Sequence, residues 1–165
     1  MPTGCRDGRE MDYPAAALFA LVADVEAYPN YMPGWHAARV LERGVEGETV
    51  EQVVSIAGIR VKFISLATFE PPHRLTIEAD GVLFRQFQLV WSFTKLAAAR
   101  TLVGVEMKVT FRSAVLDRMA SRVMPDVLGP VISALERRAA LKLGATPPVN
   151  SPAPGALPRK DGPQS

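Results

Sequence analysis

The sequence predicts an α+β fold, a curved antiparallel sheet of about seven strands closed over one long C-terminal helix. Three observations carry that expectation. Segments between residues 36 and 112 alternate apolar and polar side chains with period two, the pattern of half-buried antiparallel strands. Turn-forming residues at Gly44, Gly58, Pro71-Pro72 and Asp80-Gly81 separate those segments, which makes the chain a meander. Residues 113–143 then place Leu116, Met119, Val123, Val127, Val131 and Leu135 at intervals of three and four, with Met124, Leu128 and Ile132 widening the stripe. Asp117, Arg118, Arg122, Asp126, Arg137 and Arg138 lie mostly on the other side. A helix of this kind is stabilised mainly by what it packs against, and the strands supply that surface.

Each element follows from local signals. Residues 5–12 read as a short first strand, flanked by Gly4 and Gly8. Pro14 suits the first position of a helix, and Leu18, Leu21, Val22 and Val25 continue it at helical spacing to about Val25. Residues 28–35 hold Pro29, Pro33 and Gly34 and so predict a loop, one that carries Tyr28, Tyr31 and Trp35. Strands are expected at residues 36–43 and 48–57. In the next, Ile59, Val61, Phe63, Ala67 and Phe69 alternate with Arg60, Lys62, Thr68 and Glu70. Leu75, Ile77 and Ala79 mark another strand, then Phe87, Leu89, Trp91 and Phe93, then Val103, Val105, Met107, Val109 and Phe111. Proline removes a backbone donor and clashes with the preceding turn, so Pro125 and Gly129-Pro130 predict a kink or break in the long helix. Residues 145–165 hold Pro147, Pro148, Pro152, Pro154, Pro158 and Pro163 with almost no large apolar side chain, which predicts a disordered tail after a single domain at 1–144.

Composition narrows the function classes. The 165 residues are enough for one domain with a substantial core. A net charge of +2 without runs of like charge announces no broad nucleic-acid surface, and DNA is not an expected partner. One cysteine, Cys5, rules out an internal disulfide and suits a reducing compartment. The longest apolar run, residues 14–23, is about half the ~20 residues of a membrane-spanning helix. Residues 1–10 carry no apolar segment of the secretory type, so a soluble cytoplasmic protein is expected. His36 and His73 make no ligand pair, and with one cysteine a zinc site is not expected. No GxSxG, GxGxxG or GxxxxGK[ST] motif occurs, which leaves triad hydrolysis and phosphate-loop chemistry without support.

What remains is an excess of large apolar side chains on the sheet: Phe63, Phe69, Phe84, Phe87, Trp91, Phe93 and Phe111. Plain core packing explains any one of them. A sheet curved enough to stand away from its helix would instead leave an apolar cavity suited to a hydrophobic small molecule. Ala120, Met119, Met124 and Gly129 on the helix are small or flexible enough for that arrangement.

Particular spacings add a resemblance. Phe19-x8-Tyr28-Pro29-x3-Pro33, then Asp80-Gly81-x-Leu83-Phe84-x7-Ser92-Phe93 enclosing Trp91, then Glu136-Arg137-Arg138-Ala139, resemble the coenzyme Q-binding START-domain proteins. The bacterial ribosome-association toxin proteins belong to the same wider group, the polyketide cyclase/lipid-transport (START-like, SRPBCC) superfamily. The resemblance covers about residues 11–143 and leans toward the quinone-binding branch through the Asp80 to Trp91 spacing. It implies the helix-grip (START-like) fold: a seven-stranded antiparallel sheet wrapped around a long C-terminal helix, with short N-terminal helices. It also implies non-enzymatic binding of an isoprenoid quinone (ubiquinone) or similar lipid between sheet and helix, in support of respiration. Peripheral contact with the inner membrane would follow, with no cofactor beyond the bound lipid. Carried over by position, Tyr28, Pro29, Pro33 and Trp35 would form the entrance, and Phe84, Phe87 and Trp91 part of the wall. Tyr31 from the loop, Phe63, Phe93, Met107 and Val109 from the strands, and Val123 and Val127 from the covering helix complete the expected contacts. Gly129 would be the hinge that admits the ligand.

Two other functions remain open at this point. A factor that associates with the large ribosomal subunit and hinders subunit joining would bind through salt-sensitive contacts. A polyketide cyclase or aromatase would need polar groups in the cavity; Arg60, Ser65 and Tyr31 are candidates that no spacing singles out.

Overall fold

A computed structural model describes residues 3–56 and 58–144. Seven strands form one antiparallel sheet: β1 (Thr3–Met11), β2 (Trp35–Arg43), β3 (Glu48–Ile56), β4 (Ile59–Glu70), β5 (Arg74–Ala79), β6 (Phe84–Ala97) and β7 (Arg100–Phe111). The order across the sheet is β1-β7-β6-β5-β4-β3-β2. Strands β2 to β7 are therefore a meander, and the N-terminal strand closes on the last one, Asp7 opposite Val105. Period-two alternation is the reason for one buried face. Along β7, Thr101, Val103, Val105, Met107, Val109 and Phe111 are all buried, and the residues between them are not.

The buried face carries the helices. Helix α1 (Ala15–Ala23) is followed by a 3-10 segment at Val25–Asn30 that contains Pro29. Helix α1 ends two residues before the expected Val25, because Asp24 leaves helical geometry and the tighter 3-10 turn begins after it. At the C-terminus the expected break is real. Helix α2 (Ala114–Val123) ends in a 3-10 turn at Met124–Asp126 containing Pro125, and α3 (Leu128–Leu143) follows. Gly129-Pro130 falls inside the first turn of α3, where a missing N–H costs nothing, so it produces no second break. The helix-grip arrangement is thus present with a two-piece C-terminal helix. The Pro-rich segment from residue 145 lies outside the described residues.

The break changes which side of the helix is buried. In α3, Leu128, Val131, Ile132, Leu135 and Ala139 pack into the core, close to the expected stripe. In α2 only Ala120 is buried and Leu116 is half-buried, whereas Met119 and Val123 are exposed. The expectation that Met119 and Val123 face the sheet is therefore corrected: a turn of 3-10 helix at Pro125 rotates α2 relative to α3, so one continuous stripe in sequence becomes two faces in space.

Two contacts fix the helices to the sheet edges. The Arg9 guanidinium of β1 donates to Ser133 Oγ at 3.0 Å and to Glu136 Oε1 at 2.9 Å on α3. On the other edge, the Val40 N–H donates to Glu26 Oε2 at 2.8 Å, which satisfies a donor that would otherwise invite strand pairing. The β2–β3 turn depends on Gly47, whose φ is +147° and whose missing side chain faces the Ala67 carbonyl of β4. Gly47→Ala combines backbone strain with a clash against main chain, and is expected to cost about 2 kcal/mol or more in urea unfolding. An unchanged midpoint would show that the turn can relax.

Candidate functional site

Strand register sets the place of the site. Gly34 and Trp35, the β3–β4 turn, the β5–β6 turn at Gly81 and the start of α2 all lie at one end of the sheet. There a cavity of about 270 Å³ opens between the sheet and the helix break. Its floor is Val54 and Ser55 of β3, Phe87 of β6 and Met107 of β7. The Pro33, Gly34 and Trp35 loop forms one side, and Met124, Asp126, Val127, Pro130 and Val131 form the other. Pro125, in the 3-10 turn that ends α2, falls between the wall residues Met124 and Asp126. Gly34 adopts φ +86° to turn the chain into β2, bringing its carbonyl within 2.8 Å of the Ser55 N–H.

Behind the cavity runs a polar relay that the alternation pattern hides. Gln52 and Ser65 sit on the apolar face of β3 and β4, both fully enclosed. The Trp35 indole N–H donates to Gln52 Oε1 at 2.7 Å, Gln52 Nε2 donates to Ser65 Oγ at 2.7 Å, and Ser65 Oγ donates to the Val50 carbonyl at 3.2 Å. Every member is satisfied, which is the condition under which a buried polar network holds a single geometry. Its consequence here is a fixed Trp35 ring in the cavity wall. Gln52→Met keeps the bulk but leaves the Trp35 N–H without its acceptor and Ser65 Oγ without its donor. We expect a loss of about 2 kcal/mol in stability, measured by denaturant titration, and a changed Trp35 fluorescence. Stability at or above wild type would mean that the relay does not hold the ring.

The Trp35 ring also meets Tyr28 edge-on at 5.5 Å, and Tyr28 meets Tyr31 at 6.0 Å. The Arg138 guanidinium of α3 lies 4.8 Å from the centre of the Tyr31 ring. The aromatic loop is thereby tied to α3 on one side and to the cavity on the other. Tyr28 is fully buried, and its hydroxyl donates to the Val22 carbonyl at 2.7 Å. Burial above all, then the neighbouring Tyr31, pushes the Tyr28 hydroxyl well above the usual range, with the Trp91 indole pulling the other way and Asp24 raising it further. Burial likewise raises Tyr31, against the opposing pull of Arg138. Both phenols stay neutral in the fold when the unfolded chain begins to ionise them. Their contribution to stability is whole below the ordinary tyrosine value of 10.0 and is lost as pH rises above it. Melting temperature should fall above about pH 10, and Tyr28→Phe with Tyr31→Phe should flatten that decline; an equal decline in the double variant would assign it to other groups.

The sequence-derived contact residues divide in two. Trp35, Phe87, Met107 and Val127 line the cavity, and so does Pro33 of the loop. Phe63 and Phe84 instead pack with Phe87 in an edge-on and tilted cluster with centroids 5.1 to 5.4 Å apart, and Val109 is sealed in the core. Trp91 and Phe93 pack deeper, Phe93 edge-on to Phe19 at 5.8 Å. Tyr28 and Tyr31 brace the entrance loop from behind, and Val123 lies outside the wall. Val54, Met124 and Val131 are wall residues beyond the contacts expected from sequence; inward-facing strand positions and the helix break mark them only once the register is known. Gln52 had a legible signal, a polar residue on the same strand face as Val50 and Val54.

Chemically the cavity is plain. Asp126 supplies the ionisable group among the lining residues, whereas the Ser55 Oγ is engaged in an exposed contact with His36 Nε2 at 2.6 Å. Arg60 is exposed, Ser65 is enclosed in the relay, and Tyr31 lies beneath Arg138; none of them lines the cavity. Among the described residues no three His, Cys, Asp or Glu side chains could hold a metal ion. Such a wall holds an apolar ligand by burial.

A sheet gripping a helix over an apolar cavity defines a START-like domain. The chain belongs to the polyketide cyclase / dehydrase and lipid transport family, whose model matches residues 11–136. It is 26% identical over 129 residues to the ribosome association toxin RatA of Vibrio cholerae, covering 78% of this chain and 90% of that protein. It is also 26% identical over 143 residues to the mitochondrial coenzyme Q-binding protein coq10 of Schizosaccharomyces pombe, covering 83% and 87%. Among solved structures, the Zhui aromatase/cyclase from Streptomyces superposes with a TM-score of 0.77 at 17% identity, over 87% of this chain and 96% of that one. A START superfamily protein from Mycobacterium smegmatis gives 0.72 at 22% identity, over 84% and 97%. These superpositions bear on the fold.

Proposed function

We propose that this protein binds a hydrophobic lipid, an isoprenoid quinone foremost, without altering it chemically, in support of respiration. The observation that carries this reading is the cavity wall, apolar except at Ser55 and Asp126. Burying a few hundred Å² of ligand against it supplies several kcal/mol at ~25 cal/mol per Å². The cavity, about 270 Å³, accepts a ring or a short prenyl stretch and not a long chain. The remainder of a polyisoprenoid must continue outward past Pro33 and Val127. Similarity to a coenzyme Q-binding protein over most of both chains supports the choice of ligand. Native mass spectrometry of gently purified protein, with lipid extraction of the same sample, tests it. A retained quinone, or uptake of an added one, is expected; neither being found overturns the reading.

The second reading, association with the large ribosomal subunit, is favoured by the similarity to RatA over nearly its whole length. It requires cosedimentation with large subunits that weakens as salt rises. Absence of cosedimentation at low salt removes it.

A further inference from the structure

The exposed side of α2 has no place in the cavity wall or the core, and its chemistry is specific. Val115, Met119 and Val123 follow one another at helical spacing along one side, 63%, 38% and 37% exposed. Arg118 and Arg122 border that stripe on its solvent side, both exposed. The acidic residue of α2, Asp117, is turned away, its Oδ1 accepting the Phe111 N–H at 3.0 Å. At the start of the helix Arg112 donates to the Gly81 carbonyl and holds the β5–β6 turn there, where Val82 stands 97% exposed. Beyond the other end of α2 lie Met124, Asp126 and Val127, which are wall residues of the cavity.

We infer that α2 is a docking element for an anionic lipid bilayer surface, with Val115, Met119 and Val123 entering the acyl boundary and Arg118 and Arg122 at the headgroups. An apolar stripe flanked by arginines is the make-up of a helix that lies in the plane of a membrane interface. Three side chains and a turn are a small area for a stable protein–protein interface, which needs roughly 800 Å² on each partner. The same small area is enough for reversible contact with a membrane, where charge adds to burial. Among the described residues no helix is long and apolar enough to span a bilayer, so contact through this helix would be peripheral. The wall residues Met124, Asp126 and Val127 follow α2 directly, so docking through α2 brings the cavity close to the lipid, where a long prenyl chain can stay while its first units enter. This inference rests on the lipid-binding reading for its purpose, and its test is independent of it.

The test is cosedimentation of the full chain with sucrose-loaded vesicles of phosphatidylcholine, with and without about one-third phosphatidylglycerol. Wild type is expected to sediment with the anionic vesicles. Met119→Glu/Val123→Glu should reduce that binding by about tenfold or more, and Arg118→Gln/Arg122→Gln should remove its dependence on anionic lipid and salt. All four positions are exposed, so both variants should keep the wild-type melting temperature and the wild-type uptake of a short-chain, water-soluble quinone. That uptake separates the two ideas: lost quinone uptake with retained vesicle binding sinks the cavity reading alone. Wild type left in the supernatant with every vesicle overturns the docking inference. So does equal sedimentation of the Glu variant, or a finding that α2 substitutions abolish a dimer or ribosome cosedimentation while vesicle binding is unaffected.

Discussion

Trp91→Ala is expected to lower the stability of the fold by about 4 kcal/mol, and its melting temperature by roughly 10 °C or more. Trp91 is fully buried near the centre of β6, paired across the sheet with Leu75 on one side and Val105 on the other. Its ring stacks on Phe93 at 6.5 Å, and removing it leaves a hole that the surrounding strands cannot close without breaking register. The indole N–H has no acceptor in hydrogen-bond geometry among the described residues, although the Tyr28 hydroxyl is its neighbour. Trp91→Phe therefore removes bulk and an unpaired donor together, and is expected to cost only about 1–2 kcal/mol. Chemical denaturation of the two variants checks both values. Equal losses would mean that the indole N–H is well satisfied in solution.

The second large effect concerns binding. Val127 is half-buried at the mouth of the cavity, facing Pro33 and Trp35 across it. Val127→Trp fills that space with an indole and is expected to weaken quinone binding by about tenfold or more. The empty volume accepts the new ring, so stability should stay within about 1 kcal/mol of wild type. Isothermal titration with a short-chain ubiquinone reads the first quantity and denaturant unfolding the second. Unchanged affinity would place the ligand somewhere other than this cavity.

The sheet was legible in the sequence because its signal is local. Alternation such as Leu75, Ile77, Ala79 against Arg74, Thr76, Glu78 has one physical cause, a single wet face, and the turns between strands carry their own residues. The break at Pro125 was legible for the same reason, since proline acts on its own turn. The facing of α2 was not. Leu116, Met119 and Val123 continue the spacing of the residues after them, and only the 3-10 turn at Met124–Asp126 uncouples the two pieces. The cavity was hardest to read. A hollow consists of contacts that are not made, and whether Phe84 meets Phe63 or a ligand depends on register and curvature far along the chain. Phe87 and Phe84 look alike in sequence; one lines the cavity and the other fills the core.

Methyl NMR of the protein titrated with a short-chain ubiquinone tests most directly whether the space beneath the helix break is the binding site. Shifts are expected to concentrate at Val54, Met107, Met124, Val127 and Val131, with the Trp35 indole N–H moving as well. Shifts confined to the outer face of the sheet, or no shifts at saturating ligand, would contradict it.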